Sequence, residues 1–181
     1  MPRKPRQEEA GAIHHVTARG VVKRPIYLDE QDRVRYLELL RETIRRFGWQ
    51  CLSYCLMGNH VHLLIQTLEP NLGVGMQRLH GAYGASFNER HGYSGHVFQG
   101  RFKNERVSTD AQLLVAAAYV ALNPVEAGLC SRPGDWEWSA YGATVEGRAP
   151  WWLAAPQLLE YFAAYSGDGV ERYAAFVEAR A

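Results

Sequence analysis

Apolar and polar positions alternate with a period of two over residues 13–19 and 60–65, the spacing of strands that bury one face, and a second strand is expected between them over 49–57. In the first run His14, Val16 and Ala18 share one side, and His15, Thr17 and Arg19 share the other. In the third, Val61, Leu63 and Ile65 fall opposite His60 and His62. The period changes over 29–47, where Tyr36, Leu37, Leu40, Ile44 and Phe47 recur at helical spacing, with Asp29 as cap and Gly48 as stop. Arg33, Arg41 and Arg45 lie near the opposite, solvated face. Gly58-Asn59 joins the second strand to the histidine strand, which ends near Pro70, and is expected to supply the positive φ values of a two-residue hairpin turn. A second helix is expected over 71–90. Its glycines at 73, 75, 81 and 84 either weaken it or admit a neighbouring backbone or ligand. Residues 97–107 alternate again, with Gln99, Arg101 and Lys103 opposite Phe98 and Phe102. The order βαββαβ predicts an α+β, ferredoxin-like antiparallel sheet whose first and third strands are central neighbours.

A third helix follows over 109–123 and carries Tyr119 and Asn123 four residues apart, on one face. Pro124 is expected to stop it. Asn123 then either caps a new turn through Asn123-Pro124-Val125-Glu126 or offers its carbonyl oxygen to a metal. Residues 1–129 form the expected catalytic unit, with 1–11 as a basic arm, and 130–181 form a helical C-terminal extension. Its helices are expected at 157–165 and 170–180. Trp136, Trp138, Tyr141, Trp151 and Trp152 either staple this extension to the domain or stack on bases.

The chain has 181 residues, of which 47% are apolar, enough for one well-cored domain. No apolar run approaches a membrane span, and no secretion signal is visible. Cys51 and Cys55, four apart on a strand, are too distant to bridge, and reduced thiols fit a cytoplasmic protein. The net charge of +1 is unevenly spread. Residues 1–110 hold 16 Lys/Arg against 11 Asp/Glu, and the remainder 4 against 8. A basic front portion is compatible with a polyanionic substrate.

Two imidazoles on one strand face are half a metal site, or else one buried, hydrogen-bonded histidine beside an incidental one. His15 is open to the same two readings, strand residue or ligand. Tyr119 alone is either a core tyrosine or a nucleophile.

Taken together the motifs resemble a known family. Residues 11–20 (Gly-Ala-Ile-His-His-Val-Thr-Ala-Arg-Gly), His60-Val61-His62, Val97 through Phe102, and Tyr119 through Leu129 occur in the order seen in the REP-associated tyrosine transposases, of the HUH single-strand endonuclease superfamily. Trp138-Ser139-Ala140-Tyr141 and Trp151-Trp152-Leu153 are similar too. The resemblance implies a ferredoxin-like fold, a Mg²⁺ or Mn²⁺ ion on His60, His62 and Asn123, and Tyr119 as nucleophile. It further implies a single-stranded or hairpin DNA partner, cut through a 5′-phosphotyrosine, and a monomer or homodimer. Arg19, Lys23, Arg24, Arg101 and Lys103 are the expected DNA contacts. Two departures stand out. Gly58 replaces a usual Pro, and Val21-Val22 replaces a more polar pair. The competing readings are a repeat-binding protein without turnover, and a hydrolase using a metal-bound water that would make Tyr119 dispensable.

Overall fold

Four strands pair antiparallel in the order β2-β3-β1-β4: β1 (Ile13–Arg19), β2 (Trp49–Leu56), β3 (His60–Thr67) and β4 (Lys103–Val107). This is the ferredoxin-like arrangement, with β1 and β3 at the centre. The computed structural model describes residues 8–164 and 167–181. Arg3, Lys4 and Arg6 of the expected arm, and Tyr165 at an expected helix end, lie outside them. Helices α1 (Glu30–Phe47) and α2 (Leu72–His91) connect the strands, and α3 (Asp110–Glu126), α4 (Ala140–Val145), α5 (Ala155–Ala163) and α6 (Gly169–Glu178) follow.

Helices cover both sheet faces. Val16, Ala18, Val61, Leu63 and Ile65 pack with Tyr36, Leu40, Met76 and Tyr83 of α1 and α2. On the other face Leu52 and Leu64 pack with α3, α5 and α6 through Leu113, Ala117, Leu158, Phe162 and Tyr173. Residues beyond 130 therefore complete the second core cluster. Trp136 donates from Nε1 to the Leu56 carbonyl at 3.2 Å, and Trp152 stacks on Tyr54 at 5.7 Å. These rings staple the extension down. Trp151 alone among the tryptophans is largely exposed.

Helix α1 begins as its sequence suggests, with Asp29 accepting from the Asp32 N–H at 3.1 Å, and ends at Gly48 in the left-handed region (φ 65°). Arg33 is not simply solvated. Its guanidinium lies over Tyr27, Trp136 and Trp138 at 5.4 to 5.9 Å. Buried Asp32 also accepts from Arg90 at 2.6 Å, which ties the start of α1 to the end of α2.

Three expectations change. The Gly58-Asn59 turn closes with Met57 N–H on the His60 carbonyl at 2.9 Å, and neither turn residue has a positive φ. The fourth strand covers only Lys103–Val107, because Gly100 (φ 71°) turns the chain. Residues before it reach β1 by single contacts, such as Gln99 N–H to the Arg19 carbonyl at 2.8 Å. Finally, α3 runs through Pro124 to Glu126. Pro124 lies in the last turn, so the helix gives up the one N–H that would reach the Val120 carbonyl and ends two residues later, and Asn123 is no cap: its Nδ2 donates back to the Tyr119 carbonyl at 2.8 Å.

The glycines of α2 divide by surroundings. A Cβ on Gly75 would lie 2.1 Å from Trp49 Cζ2, whereas one on Gly81 would meet nothing within 4 Å. Trp49 is held in turn by Asn71, whose Oδ1 accepts from its Nε1 at 2.7 Å. Gly75→Ala is expected to cost about 1–3 kcal/mol by overpacking. Gly81→Ala is expected to gain about 1 kcal/mol from helix propensity. Urea denaturation of the two variants checks both signs.

Candidate active site

The β1–β3 register brings the polar faces together, with Thr17 opposite His62 and Arg19 opposite His60. The His60 and His62 rings are 5.0 Å apart and nearly perpendicular. His15, one pleat further along, stacks on His62 at 5.2 Å, its Nε2 2.9 Å from His62 Nδ1. Thr17 Oγ1 approaches the same Nδ1 at 3.4 Å. Helix α3 crosses above and places the Tyr119 ring 5.5 Å from His62 and 5.7 Å from His15 within the same chain. Tyr119 is 43% exposed, so it faces the opening and not the core. Asn123, one turn on, is buried beside His60 and His62. With its Nδ2 committed to the Tyr119 carbonyl, Oδ1 is the atom left for the imidazoles.

Burial pushes the His62 pKa down to about 3, and the neighbouring His15 and His60 add to the shift. Burial lowers His60 and His15 as well. Neutral imidazoles are what a divalent ion requires, since protons then compete weakly for the nitrogens. His62 Nε2 is buried without a hydrogen-bond partner, while Nδ1 of the same ring is engaged by His15. An orphaned buried nitrogen costs about 1–3 kcal/mol. A ring held at one nitrogen with the other free is also how metal-ligating histidines are mounted. No group of three or more His, Cys, Asp and Glu suited to an ion occurs among the described residues. The residues that could hold an ion here are His60 and His62, through imidazole nitrogens, and Asn123, through its amide oxygen.

A cleft of about 880 Å³ opens over these groups, rimmed by Arg19, Lys23, Gln99, Arg101 and Lys103. Four of the five expected DNA-contacting cations thus converge here. Arg24 does not line the cleft, because the chain reverses at Val22 (φ 54°) and Lys23 (φ 58°) and carries it away. A second groove of about 770 Å³ runs beside α2, where His80 stacks on Phe98 at 4.0 Å, and it shares Gly100, Arg101 and Phe102 with the first. Gly73, Gly81 and Gly84 of α2 line that groove, the space that one of the two readings of these glycines anticipated. The central pairing of the first and third strands anticipated His15 beside these histidines, but not its contact with His62, and the contact of Asn59 with His60 was missed. The strand register was the available signal for His15.

Val22 and Lys23 are, among the described residues, the non-glycine positions with positive φ. Val22 is β-branched and 77% exposed, so its side chain gains little packing in return. Val22→Asn, which tolerates this region, is expected to raise stability by about 1 kcal/mol, read as a higher thermal midpoint with the cleft unchanged.

The comparisons with known proteins agree with this geometry. The sequence signature of IS200-like transposases matches residues 11–123, from the turn before β1 to Asn123. No curated protein matches the chain. Among solved structures, a REP-associated tyrosine transposase bound to a REP hairpin shares the fold, with a TM-score of 0.69 at 17% identity over 83% of this chain and 89% of that one. A provisionally assigned transposase from Deinococcus radiodurans R1 overlaps less well, with a TM-score of 0.45 at 16% identity over 63% of this chain and 92% of that one. The matched segment spans well over half of the chain and contains His60, His62, Tyr119 and Asn123: the protein belongs to the IS200-like transposase family.

Proposed function

We propose that this transposase cleaves and rejoins single-stranded DNA at hairpin-forming repeats, with Tyr119 as nucleophile. The observation that carries the reading is the juxtaposition of an exposed phenol with His62, whose free Nε2 is buried, inside a cleft rimmed by cations. The REP-associated tyrosine transposase of the same fold is bound to a REP hairpin, and a substrate of that kind suits this cleft.

The phenol oxygen of Tyr119 attacks phosphorus in line with the departing 3′ oxygen. The phenol gives up its proton, and the 3′ oxygen leaves and takes one up. One fragment is left as a 5′-phosphotyrosine and the other with a free 3′-OH. Because the ester conserves the bond, a 3′-OH can attack it in reverse and release the phenol. Asn123 helps hold the helix turn beneath the tyrosine by bonding the Tyr119 carbonyl. Arg19, Lys23, Arg101 and Lys103 hold the flanking phosphates. A Mg²⁺ or Mn²⁺ ion held by His60, His62 and Asn123 would polarise a non-bridging phosphate oxygen and neutralise charge developing there.

Tyr119→Phe keeps the ring and loses the attacking oxygen. Covalent adduct on a labelled single-stranded hairpin and strand cleavage should vanish together in Mn²⁺, while DNA affinity and thermal midpoint stay near wild type. Continued cutting by this variant with no protein-linked product would identify a metal-water hydrolase. His62→Ala is expected to weaken Mn²⁺ binding in calorimetry. Mixing Tyr119→Phe with His60→Ala should restore nothing, since phenol and imidazoles act within one chain. Recovery of activity in the mixture would assign a shared site.

The cation rim predicts salt-dependent DNA binding. Removing both Lys23 and Lys103 charges should make the log–log salt slope shallower by about 0.7 per lost phosphate contact on single strands, measured by fluorescence anisotropy. An unchanged slope would place the DNA elsewhere.

A further inference from the structure

Asn59 sits in the hairpin turn between β2 and β3, yet its side chain does more than close the turn. Its backbone carbonyl accepts from the Gly20 N–H at 2.9 Å. Its Nδ2 donates to the backbone carbonyl of Lys23 at 3.1 Å. Its Oδ1 lies 2.7 Å from His60 Nδ1.

These contacts admit a single assignment of protons. A backbone carbonyl only accepts, so the amide nitrogen of Asn59 faces Lys23 and the amide oxygen faces His60. That oxygen also only accepts, so His60 Nδ1 carries the hydrogen. In the neutral ring the lone pair is then on Nε2.

We propose that Asn59 is a positioning residue: anchored on the Lys23 carbonyl, it holds His60 in the Nδ1–H tautomer and leaves Nε2 as an electron-pair donor for the cleft. The use of that donor rests on the metal-dependent reading above; the tautomer does not.

The left-handed turn at Val22 and Lys23 acquires a purpose on this account. It directs the Lys23 carbonyl toward the hairpin tip, and the neighbouring backbone is pinned to keep it there. Val21 N–H bonds the Val97 carbonyl at 3.0 Å, Lys23 N–H the Gly20 carbonyl at 3.1 Å, and Arg24 N–H the Val21 carbonyl at 3.0 Å. A Cβ on Gly20 would lie 2.2 Å from the Arg24 carbonyl oxygen, so the loop closes this tightly only around glycine. Backbone strain that surrounding hydrogen bonds over-determine is a mark of functional positioning. His62 is braced at the same ring atom, Nδ1, but from β1 and by His15. The two imidazoles are thus oriented from different sides by different partners.

Two-bond ¹H–¹⁵N correlation spectra of the metal-free full chain at neutral pH distinguish the tautomers, with the His60 ring assigned by its loss in His60→Gln. Wild type should show His60 as Nδ1–H. Asn59→Ala should move it toward Nε2–H and weaken Mn²⁺ binding in calorimetry by about 10–100-fold. Asn59→Asp keeps an acceptor for Nδ1 and should restore the wild-type ring pattern, which a merely structural turn residue would not do. An Nε2–H ring in wild type overturns the proposal, as does Asn59→Ala with unchanged tautomer and Mn²⁺ affinity. Where Asn59→Ala does not fold, the wild-type and Asn59→Asp spectra decide. A tautomer that shifts as expected in a protein that binds no Mn²⁺ upholds the positioning role and rejects metal-dependent cleavage.

Discussion

The antiparallel pairing of β1 with β3 sets Thr17 across from His62 and Arg19 across from His60, and every feature of the site depends on that register. A slip of one residue would turn the imidazoles under α1 and α2 and the apolar set toward α3 and the cleft. What prevents the slip lies on the reverse side of the sheet. Val16, Ala18, Val61, Leu63 and Ile65 are all nearly inaccessible under α1 and α2. Each of the larger ones contributes about 1.5–3 kcal/mol of burial. The chemistry is positioned by side chains that never touch it.

The same register has a cost on the polar face. His62 is as buried as many core residues, and its Nε2 has no protein partner. A structure selected for stability alone would place an apolar side chain there. Three histidines that burial holds neutral are what the proposed metal ion and DNA strand would account for. The cleft rim supplies the complementary charge for the phosphates, and the imidazoles supply lone pairs. On that proposal the unpartnered Nε2 and the reactivity of the site have one origin.

Much of this was legible in the residue pattern. Alternation over 13–19 and 60–65 gave the two central strands and their polar faces, and helical spacing gave α1 with both its caps. The elements that escaped were those governed by single backbone torsions or by tertiary contact. Gly100 cut the fourth strand short through its own φ, which the alternating side chains around it concealed. Pro124 looked like a stop because propensity cannot tell the last turn of a helix from its middle. Asn59 resembled a turn residue since its two side-chain partners, Lys23 and His60, lie at very different sequence separations. Local pattern carries no information about such a junction.

The position of the tyrosine is the last consequence of packing. Helix α3 is held over the sheet by its Ala- and Leu-rich face. Leu113, Ala117 and Ala121 share one cluster with Leu52 and Leu64 below and with Leu158, Phe162, Tyr173 and Val177 of α5 and α6 alongside. Small alanines let the helix approach the sheet closely, which brings a phenol 5.5 Å from His62. The C-terminal helices complete the socket in which α3 sits. The described residues beyond 130 are therefore part of what sets the height of Tyr119 over the histidines, although none of these lines the cleft.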